Sequence, residues 1–183
     1  MTVNLKNLYS LFLVIAFISC NSSNKQSFQS ESIDTWQIEN YTDKWGEKTN
    51  LSYVWRNCEG TFSNSAVTDA PLTVEMLINK KDISIRFLEY GDNLKKGEGD
   101  AIIIVRDKDK KEYNDRDYYR FQDGSFGLSG RAQSIVRKAL LKGGRVMFIV
   151  GIRNNGIQIG SYHFEVSNAD GLKEALAKTK YYK

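Results

Sequence analysis

Few side chains in this chain of 183 residues could carry acid–base or metal chemistry. The chain has one histidine, His163, whose neighbours of like parity are Ser161 and Glu165. If Tyr162 and Phe164 point into a core, His163 lies on the solvent side of a strand. No nucleophile-elbow motif surrounds any serine, and a zinc site requires about three or four ligands. We therefore expect no enzymatic activity, no metal site and no cofactor.

Acidic residues cluster between positions 107 and 117, a pattern that raises the question of a calcium loop. An EF-hand loop that begins at Asp107 requires glycine at its sixth place and glutamate at its twelfth. Those places hold Glu112 and Tyr118. Four basic residues also neutralise the segment: Lys108, Lys110, Lys111 and Arg116. We interpret the segment as a solvated hairpin tip.

The N-terminal segment offers a different chemistry, centred on Cys20. One lysine, Lys6, precedes a short apolar run from Leu8 to Ile18, and Ser19 stands immediately before the cysteine. The run is shorter than the roughly 20 apolar residues of a membrane-spanning helix. The arrangement resembles a bacterial lipoprotein signal, which implies that residues 1–19 are removed and that Cys20 is diacylated and then N-acylated. An ordinary signal peptide and an uncleaved anchor helix are the alternatives.

Residues 20–34 contain the lipidated cysteine and a segment rich in Ser, Asn and Gln. This composition predicts a flexible tether with an r.m.s. reach of roughly 20 Å. No acidic run follows Cys20, so we expect the protein in the cell envelope, held by its lipid on the outer membrane and facing the periplasm. Residues 35–183 have a length that suits a single domain.

The charge balance of the chain bears on one class of partner, nucleic acid. Without Lys6 the chain keeps 25 basic residues (26 − 1) and 22 acidic ones, a near balance that does not indicate nucleic acid.

Cys58 is the only other cysteine, so no intramolecular disulfide can form once Cys20 is lipidated. We expect Cys58 to be buried as a small hydrophobic side chain, and an intermolecular disulfide is the alternative.

From residue 36 onward the apolar pattern is typical of β-strands. Leu72 to Ile78 and Ile83 to Phe87 alternate apolar and polar residues, which predicts two half-buried strands joined by a tight hairpin. Ala101 to Val105 and Val146 to Ile152 are apolar almost throughout. Such runs predict central strands that are covered on both faces.

A second hairpin is predicted at Asn155-Gly156, because both residues accept positive φ. Its return strand, Ile157 to Val166, changes phase: the apolar residues before Gly160 and those after Ser161 have opposite parity. An extra residue at this point would return the apolar side chains to the core. We therefore predict a β-bulge or sharp bend there.

Two segments have helical periodicity. Arg131 to Lys142 carries an apolar stripe and ends at Gly143-Gly144, and Asn168 is expected to cap a second helix. Leu172, Ala175 and Leu176 would then face inward. The predicted fold is mainly β, an antiparallel β-sandwich or partly open barrel with one or two short helices.

Residues 161–178, which read SYHFEVSNADGLKEALAK, follow a helix that ends at Lys142-Gly143 and a strand from Arg145 to Gly151. This succession, together with Trp36 near the domain start, is similar to the invasion-associated locus B family. The resemblance implies an exported β-sandwich and no defined activity. The chain departs from the paired cysteines of that family and has Gly171-Leu172 where Gly-Phe is usual.

Aromatic residues beside arginine supply the predicted binding surface, because rigid rings and guanidinium groups are typical of contact hot spots. The predicted binding residues are Trp45, Arg116, Tyr118, Tyr119 and Arg120. The alternative is that these rings cap an open end of the sandwich.

The first helix is basic on its outer side through Arg131, Arg137, Lys138 and Lys142. We interpret this side as a solvated face, and attraction to anionic headgroups is the alternative.

These patterns favour a non-enzymatic, membrane-anchored module that binds a protein or a glycan. An anchored inhibitor or immunity protein against an envelope-targeted enzyme is the alternative, and it would use residues 107–121 to plug a cleft. A hydrolase is the third hypothesis, because carboxylates such as Glu89 and Asp92 could act without histidine. We interpret those two residues as an ordinary strand end.

Overall fold

Alternating apolar and polar residues produce the strands of one antiparallel sheet, which curls into a half-barrel. The computed structural model describes residues 35–90, 93–94, 98–120 and 125–180, with the backbone alone at 93, 94, 98, 99 and 117–120. The predicted mainly β fold with short helices is confirmed. The described elements are β1 (Gln37–Thr42), β2 (Lys48–Ser63), β3 (Ala70–Ile78), β4 (Ile83–Glu89), β5 (Asn93–Leu94), β6 (Glu98–Arg106), β7 (Glu112–Arg120), β8 (Ser125–Leu128), α1 (Gly130–Leu141), β9 (Val146–Asn154), β10 (Ile157–Val166) and α2 (Leu172–Lys178).

The strands follow the order β5-β4-β3-β2-β10-β9-β6-β7, with β1 added to β2 and β8 added to β4. β2 serves two neighbours on one edge, because β1 pairs with its first part and β10 with its last part. At this junction a Cβ on Gly60 would lie 2.2 Å from the carbonyl oxygen of His163. The close approach of the two backbones therefore requires glycine.

The core lies on the inner face of the curled sheet, where α1 packs against it. Stacked rings run through this core: the Tyr162 and Phe87 ring centroids are 4.1 Å apart, and those of Phe148 and Phe164 are 4.8 Å apart. The prediction that Cys58 is buried is confirmed.

Glu89 departs from its interpretation as an ordinary strand end. Its side chain is buried at the end of β4 and accepts a 2.5 Å hydrogen bond from the Tyr162 hydroxyl. The carboxylate is therefore part of the core rather than of a solvated edge.

The β9–β10 hairpin confirms both predictions made for it. Asn155 and Gly156 have φ of 50° and 79°, the left-handed region that a type I′ turn requires. The pairing register shifts between Gln158 and Gly160, so Ile159 is the extra residue of a β-bulge. Beyond the bulge the apolar residues of β10 return to the core face.

The two helices agree with the sequence to different degrees. α1 buries most of its apolar stripe and ends before Gly143, whose φ is 79°. The prediction that Asn168 caps α2 is wrong: the helix starts after Gly171, which is left-handed, and it has no side-chain cap hydrogen bond. The Asn168 side-chain oxygen instead accepts the backbone N–H of Asp170 at 2.8 Å, a local turn that the same residue type also favours.

The β6–β7 turn is a hairpin, but the prediction that Asp107 lies in a solvated tip is wrong. Its buried carboxylate accepts hydrogen bonds from the Lys142 Nζ at 2.8 Å and from the backbone N–H groups of Asp109 and Lys111. The bond from Lys142 is the largest cause that holds the pKa of Asp107 below its ordinary value. The same bond raises the pKa of Lys142.

β6 and β9 differ from the expectation that both faces are covered. In β6, Ile103 is buried whereas Ile102 and Ile104 are half-buried, and in β9 Phe148 is buried whereas Ile149 is 38% exposed. The described residues thus cover only the inner face of these strands. A continuous apolar run here produces an apolar outer surface.

Some predictions fall outside the described residues and stay predictions. They are the signal peptide at 1–19, the lipidated Cys20 with its tether up to residue 34, and Asp92. The side chains of Tyr118, Tyr119 and Arg120 also fall outside. In the part of the chain that the structure describes, no helix has the length and apolar character to cross a membrane.

Candidate functional site

Outward side chains of neighbouring strands line a groove of about 290 Å³, which we call the outer groove. It crosses the end of β2, then β10, β9 and β6, and reaches the start of β7. The pairing register aligns Thr61, His163, Ile149 and Ile104 in one transverse row, with one residue from each strand. Sheet pairing therefore brings together residues that are far apart in the sequence.

The centre of the outer groove is aliphatic. Ile104, Met147 and Ile149 face outward there. In the adjoining row Ile102 pairs with Gly151, and a Cβ on Gly151 would meet no atom within 4 Å. The surface of β9 beside the groove is therefore unobstructed. Contiguous apolar surface on an outer face is typical of a contact site for another molecule.

Ion pairs border this aliphatic centre. The Arg106 Nε–H donates to Glu112 Oε1 at 2.9 Å, and the Arg145 Nε–H donates to Glu165 Oε2 at 2.9 Å. Such exposed pairs contribute little to the free energy of unfolding. At the rim of an interface they would orient a bound partner.

His163 is exposed in the groove, and its neighbours Tyr162 and Phe164 are buried on the opposite side, as predicted. Its Nε2 lies 2.9 Å from the Ser161 Oγ. Among the described residues, no carboxylate bonds the His163 ring and orients it as a base. β10 pairs with β2 on one edge and with β9 on the other, so its backbone N–H groups serve the sheet rather than an oxyanion. Nucleophilic catalysis needs an oriented base and donors for the oxyanion. The pair is better suited to hydrogen bonding with a ligand.

Two of the five predicted binding side chains are described. Arg116 faces outward on β7, in the row of Ile102, and forms an ion pair with Asp100. Trp45 lies in the β1–β2 turn with 77% of its surface exposed, and the Lys44 Nζ is 5.1 Å from its ring centroid. The outer groove crosses the last part of β2. β1, which leads into the turn that carries Trp45, pairs with the first part of β2, so strand pairing does not place Trp45 beside Arg116.

The other predicted residues, Tyr118, Tyr119 and Arg120, are placed by their backbone on β7. Their role in binding stays a prediction. In the described part of the chain, no cluster of three or more His, Cys, Asp or Glu side chains is arranged to hold a metal ion.

Sequence reasoning missed the outer groove, although its signal was present. In the runs at 101–105 and 146–150, residues of outward parity are nearly as apolar as those of inward parity. Periodicity does not distinguish a strand covered by a second layer from a strand with an exposed apolar face. The number of layers had to come from the tertiary structure.

Comparison of the chain with protein-family models, with curated proteins and with solved structures finds no match. The resemblances to a lipoprotein signal and to the invasion-associated locus B family therefore stay predictions.

Proposed function

We propose that this protein is a non-enzymatic binding module of the bacterial cell envelope, anchored by a lipid on Cys20, whose outer groove binds a segment of a protein partner. The row of Ile104, Ile149 and His163 carries the proposal. It joins an exposed aliphatic surface to a hydrogen-bonding side chain, with ion pairs at the borders. An apolar centre with a polar rim is the usual anatomy of a protein interface.

The composition of the groove favours a protein over a glycan. Its described outward side chains are aliphatic, polar or charged, and the two phenylalanines that line it, Phe148 and Phe164, are buried. Sugar rings are bound mainly by stacking on exposed aromatic faces. Aliphatic partner side chains would instead pack on the outward isoleucines and over Gly151, where an added Cβ would meet no atom within 4 Å.

The test is a pull-down from envelope extracts with tagged full-length protein and the variant Ile149→Lys. The wild-type side chain is already 38% exposed, so the strand accommodates lysine. Under a bound partner the new charge would be buried without compensation. We expect recovery of specific partners to fall at least about tenfold, as for a hot-spot residue.

Ile157→Lys is the matched control, because it makes the same substitution in the same hairpin at a side chain that is 69% exposed and outside the groove. Both variants should keep the thermal denaturation midpoint of the wild type. Equal recovery of every partner by the two variants would contradict the proposal.

An anchored inhibitor or immunity protein is the second candidate, supported by the rigid β6–β7 turn. Bonds from the Asp109 and Lys111 N–H groups to Asp107 order this turn and present the exposed Lys108 and Lys110. Pre-organisation lowers the entropic cost of inserting a loop into a cleft. Normal survival of a deletion strain among its competitors would count against this function.

A further inference from the structure

A second pocket, of about 590 Å³, opens between α1 and β7, and we call it the α1 pocket. Tyr113 of β7 lines one side. Residues of α1 and its C-cap, spaced at i, i+3, i+4, i+7 and i+8, share one helix face and line the other side: Ser134, Arg137, Lys138, Leu141 and the C-cap Lys142. The α1 pocket shares no lining residue with the outer groove.

Cations dominate this pocket. Three of its described lining residues are basic and none of them is acidic. The Lys138 Nζ lies 5.9 Å from the Tyr113 ring centroid, and the Lys111 Nζ lies 5.3 Å from it. The Tyr113 hydroxyl donates to the Asp107 carboxylate at 3.3 Å, which fixes the ring. Two ammonium groups thus converge on one immobilised ring.

The contacts of these cations leave positive charge at the pocket. A tyrosine ring attracts an ammonium group but brings no negative charge, so the contacts of Lys111 and Lys138 with Tyr113 supply no counter-charge. Lys142 differs, because it pairs with the carboxylates of Asp107 and Asp109. Lys111 and Lys138 are therefore the two cations best placed to meet an anion.

Basic residues continue on both sides of the pocket. On one side, Arg137 donates to the Asn79 carbonyl oxygen at 3.0 Å and joins α1 to the β3–β4 turn. That turn carries the exposed Lys80 and Lys81. On the other side the β6–β7 turn carries two further exposed lysines, Lys108 and Lys110, with Asp109 between them, whose carboxylate pairs with Lys142.

We propose that the α1 pocket and its two flanking turns dock on an anionic membrane surface, where they bind lipid phosphates. Lysine, arginine and hydroxyl donors are the groups that bind phosphate oxygens. A single small anion would need only the pocket, whereas lysines on both turns match a surface that presents many phosphates side by side. Leu141, which is 43% exposed, would add aliphatic contact at the headgroup boundary.

This inference goes beyond the proposed function and does not depend on the outer groove. Each basic residue near an anionic surface contributes about 1 kcal/mol, which is about fivefold in affinity. A lipid on Cys20 would bring the surface within reach of the domain, but the docking contacts are those of α1 and the turns.

The test uses the full chain with phosphatidylcholine vesicles that contain or lack phosphatidylglycerol. The measured quantity is the ratio of binding to anionic over neutral vesicles, because this ratio removes any contribution of the N-terminal segment that is common to both. Lys111→Gln combined with Lys138→Gln should lower the ratio about twenty-five-fold, at about fivefold per charge.

The matched control is Lys173→Gln combined with Lys178→Gln, which removes the same charge from exposed positions of α2. This control should keep the ratio near its wild-type value. An equal fall in both double variants would overturn the proposal, because net charge alone would then explain the binding.

Amine-reactive footprinting of the wild-type chain is the second measurement. Lys111 and Lys138 should be protected on anionic vesicles and reactive on neutral ones, and Lys173 should be reactive on both. Protection by inorganic phosphate without any effect of phosphatidylglycerol would overturn the membrane as the occupant. Either failure leaves the outer groove intact as a proposal, since that site is assayed with Ile149→Lys and protein partners.

Discussion

The ammonium group of Lys142 donates a 2.8 Å hydrogen bond to the carboxylate of Asp107, 35 positions earlier in the chain. The Asp107 side chain is only 1% exposed, and it also accepts bonds that order the β6–β7 turn. This pair ties the end of α1 to the hairpin that carries Tyr113. The geometry of the α1 pocket therefore depends on Lys142 and on the carboxylates of the β6–β7 turn with which it pairs.

Asp107→Asn should remove an acid-sensitive part of the stability. The pKa of Asp107 lies below its ordinary value of 3.8 in the folded state, so its contribution is present above that pH and is lost as pH falls through the lowered value. Thermal denaturation at neutral and acid pH measures this effect. The difference between wild type and variant should shrink in acid, and a constant difference would contradict the assignment.

Lys142→Gln should show the opposite pH dependence. The pKa of Lys142 is raised above its ordinary value of 10.5, so its contribution is present below that pH and is lost as pH rises above it. Denaturation curves from neutral to strongly alkaline pH should bring wild type and variant together. A difference that stays constant up to strongly alkaline pH would contradict the pairing of Lys142 with these carboxylates.

Gly60→Ala should destabilise the fold by about 1–3 kcal/mol, as overpacking usually does. The added Cβ would lie 2.2 Å from the His163 carbonyl oxygen and 2.7 Å from the Phe164 Cβ, so β2 and β10 would have to separate. Urea denaturation measures the loss. Gly127→Ala is the control, because a Cβ on Gly127 meets nothing within 4 Å. Equal stability of the two variants would show that the strands can separate at little cost.

Tyr162→Phe should cost about 1–3 kcal/mol, because it removes the hydroxyl that donates to the buried Glu89 and leaves ring stacking intact. Tyr53→Phe is the control: that half-buried tyrosine donates at 3.2 Å to Glu39, whose side chain is exposed, so its loss leaves no buried acceptor without a donor. Burial, followed by the charge of Glu39, raises the pKa of Tyr53 to about 12. Urea denaturation should rank Tyr162→Phe as clearly the less stable, and the reverse order would contradict the role given to Glu89.

Cys20→Ser should abolish fatty acylation and with it the lipid anchorage of the protein. Mass spectrometry of the wild-type N-terminus should find an acylated cysteine and no residues 1–19, as the resemblance to a lipoprotein signal implies. Cys58→Ser is the control, since Cys58 is buried within the fold and should have no effect on acylation. An intact N-terminal methionine in the wild type would contradict the anchor.

The local sequence was sufficient to predict those features that depend only on neighbouring residues. The β9–β10 turn follows from Asn155-Gly156, and the bulge follows from the change of apolar phase at Gly160, because backbone conformation and side-chain parity are local properties. The predicted cap of α2 was wrong, because Asn168 favours both a helix cap and a tight turn and the local sequence does not distinguish them. Packing selected the turn.

The two candidate sites, the outer groove and the α1 pocket, could be identified only from the tertiary structure. Sequence patterns were enough to predict β3, β4, β6, β9, β10 and α1, because periodicity records which residues avoid water. The burial of Cys58 followed from the apolar character of a free cysteine. Only the fold decided that the outward isoleucines of β6 and β9 lie beside His163 without a second layer, and that Lys142 neutralises Asp107 while Lys111 and Lys138 converge on Tyr113. These relationships join residues far apart in the chain, and strand order and helix placement set their distances, which no local pattern contains.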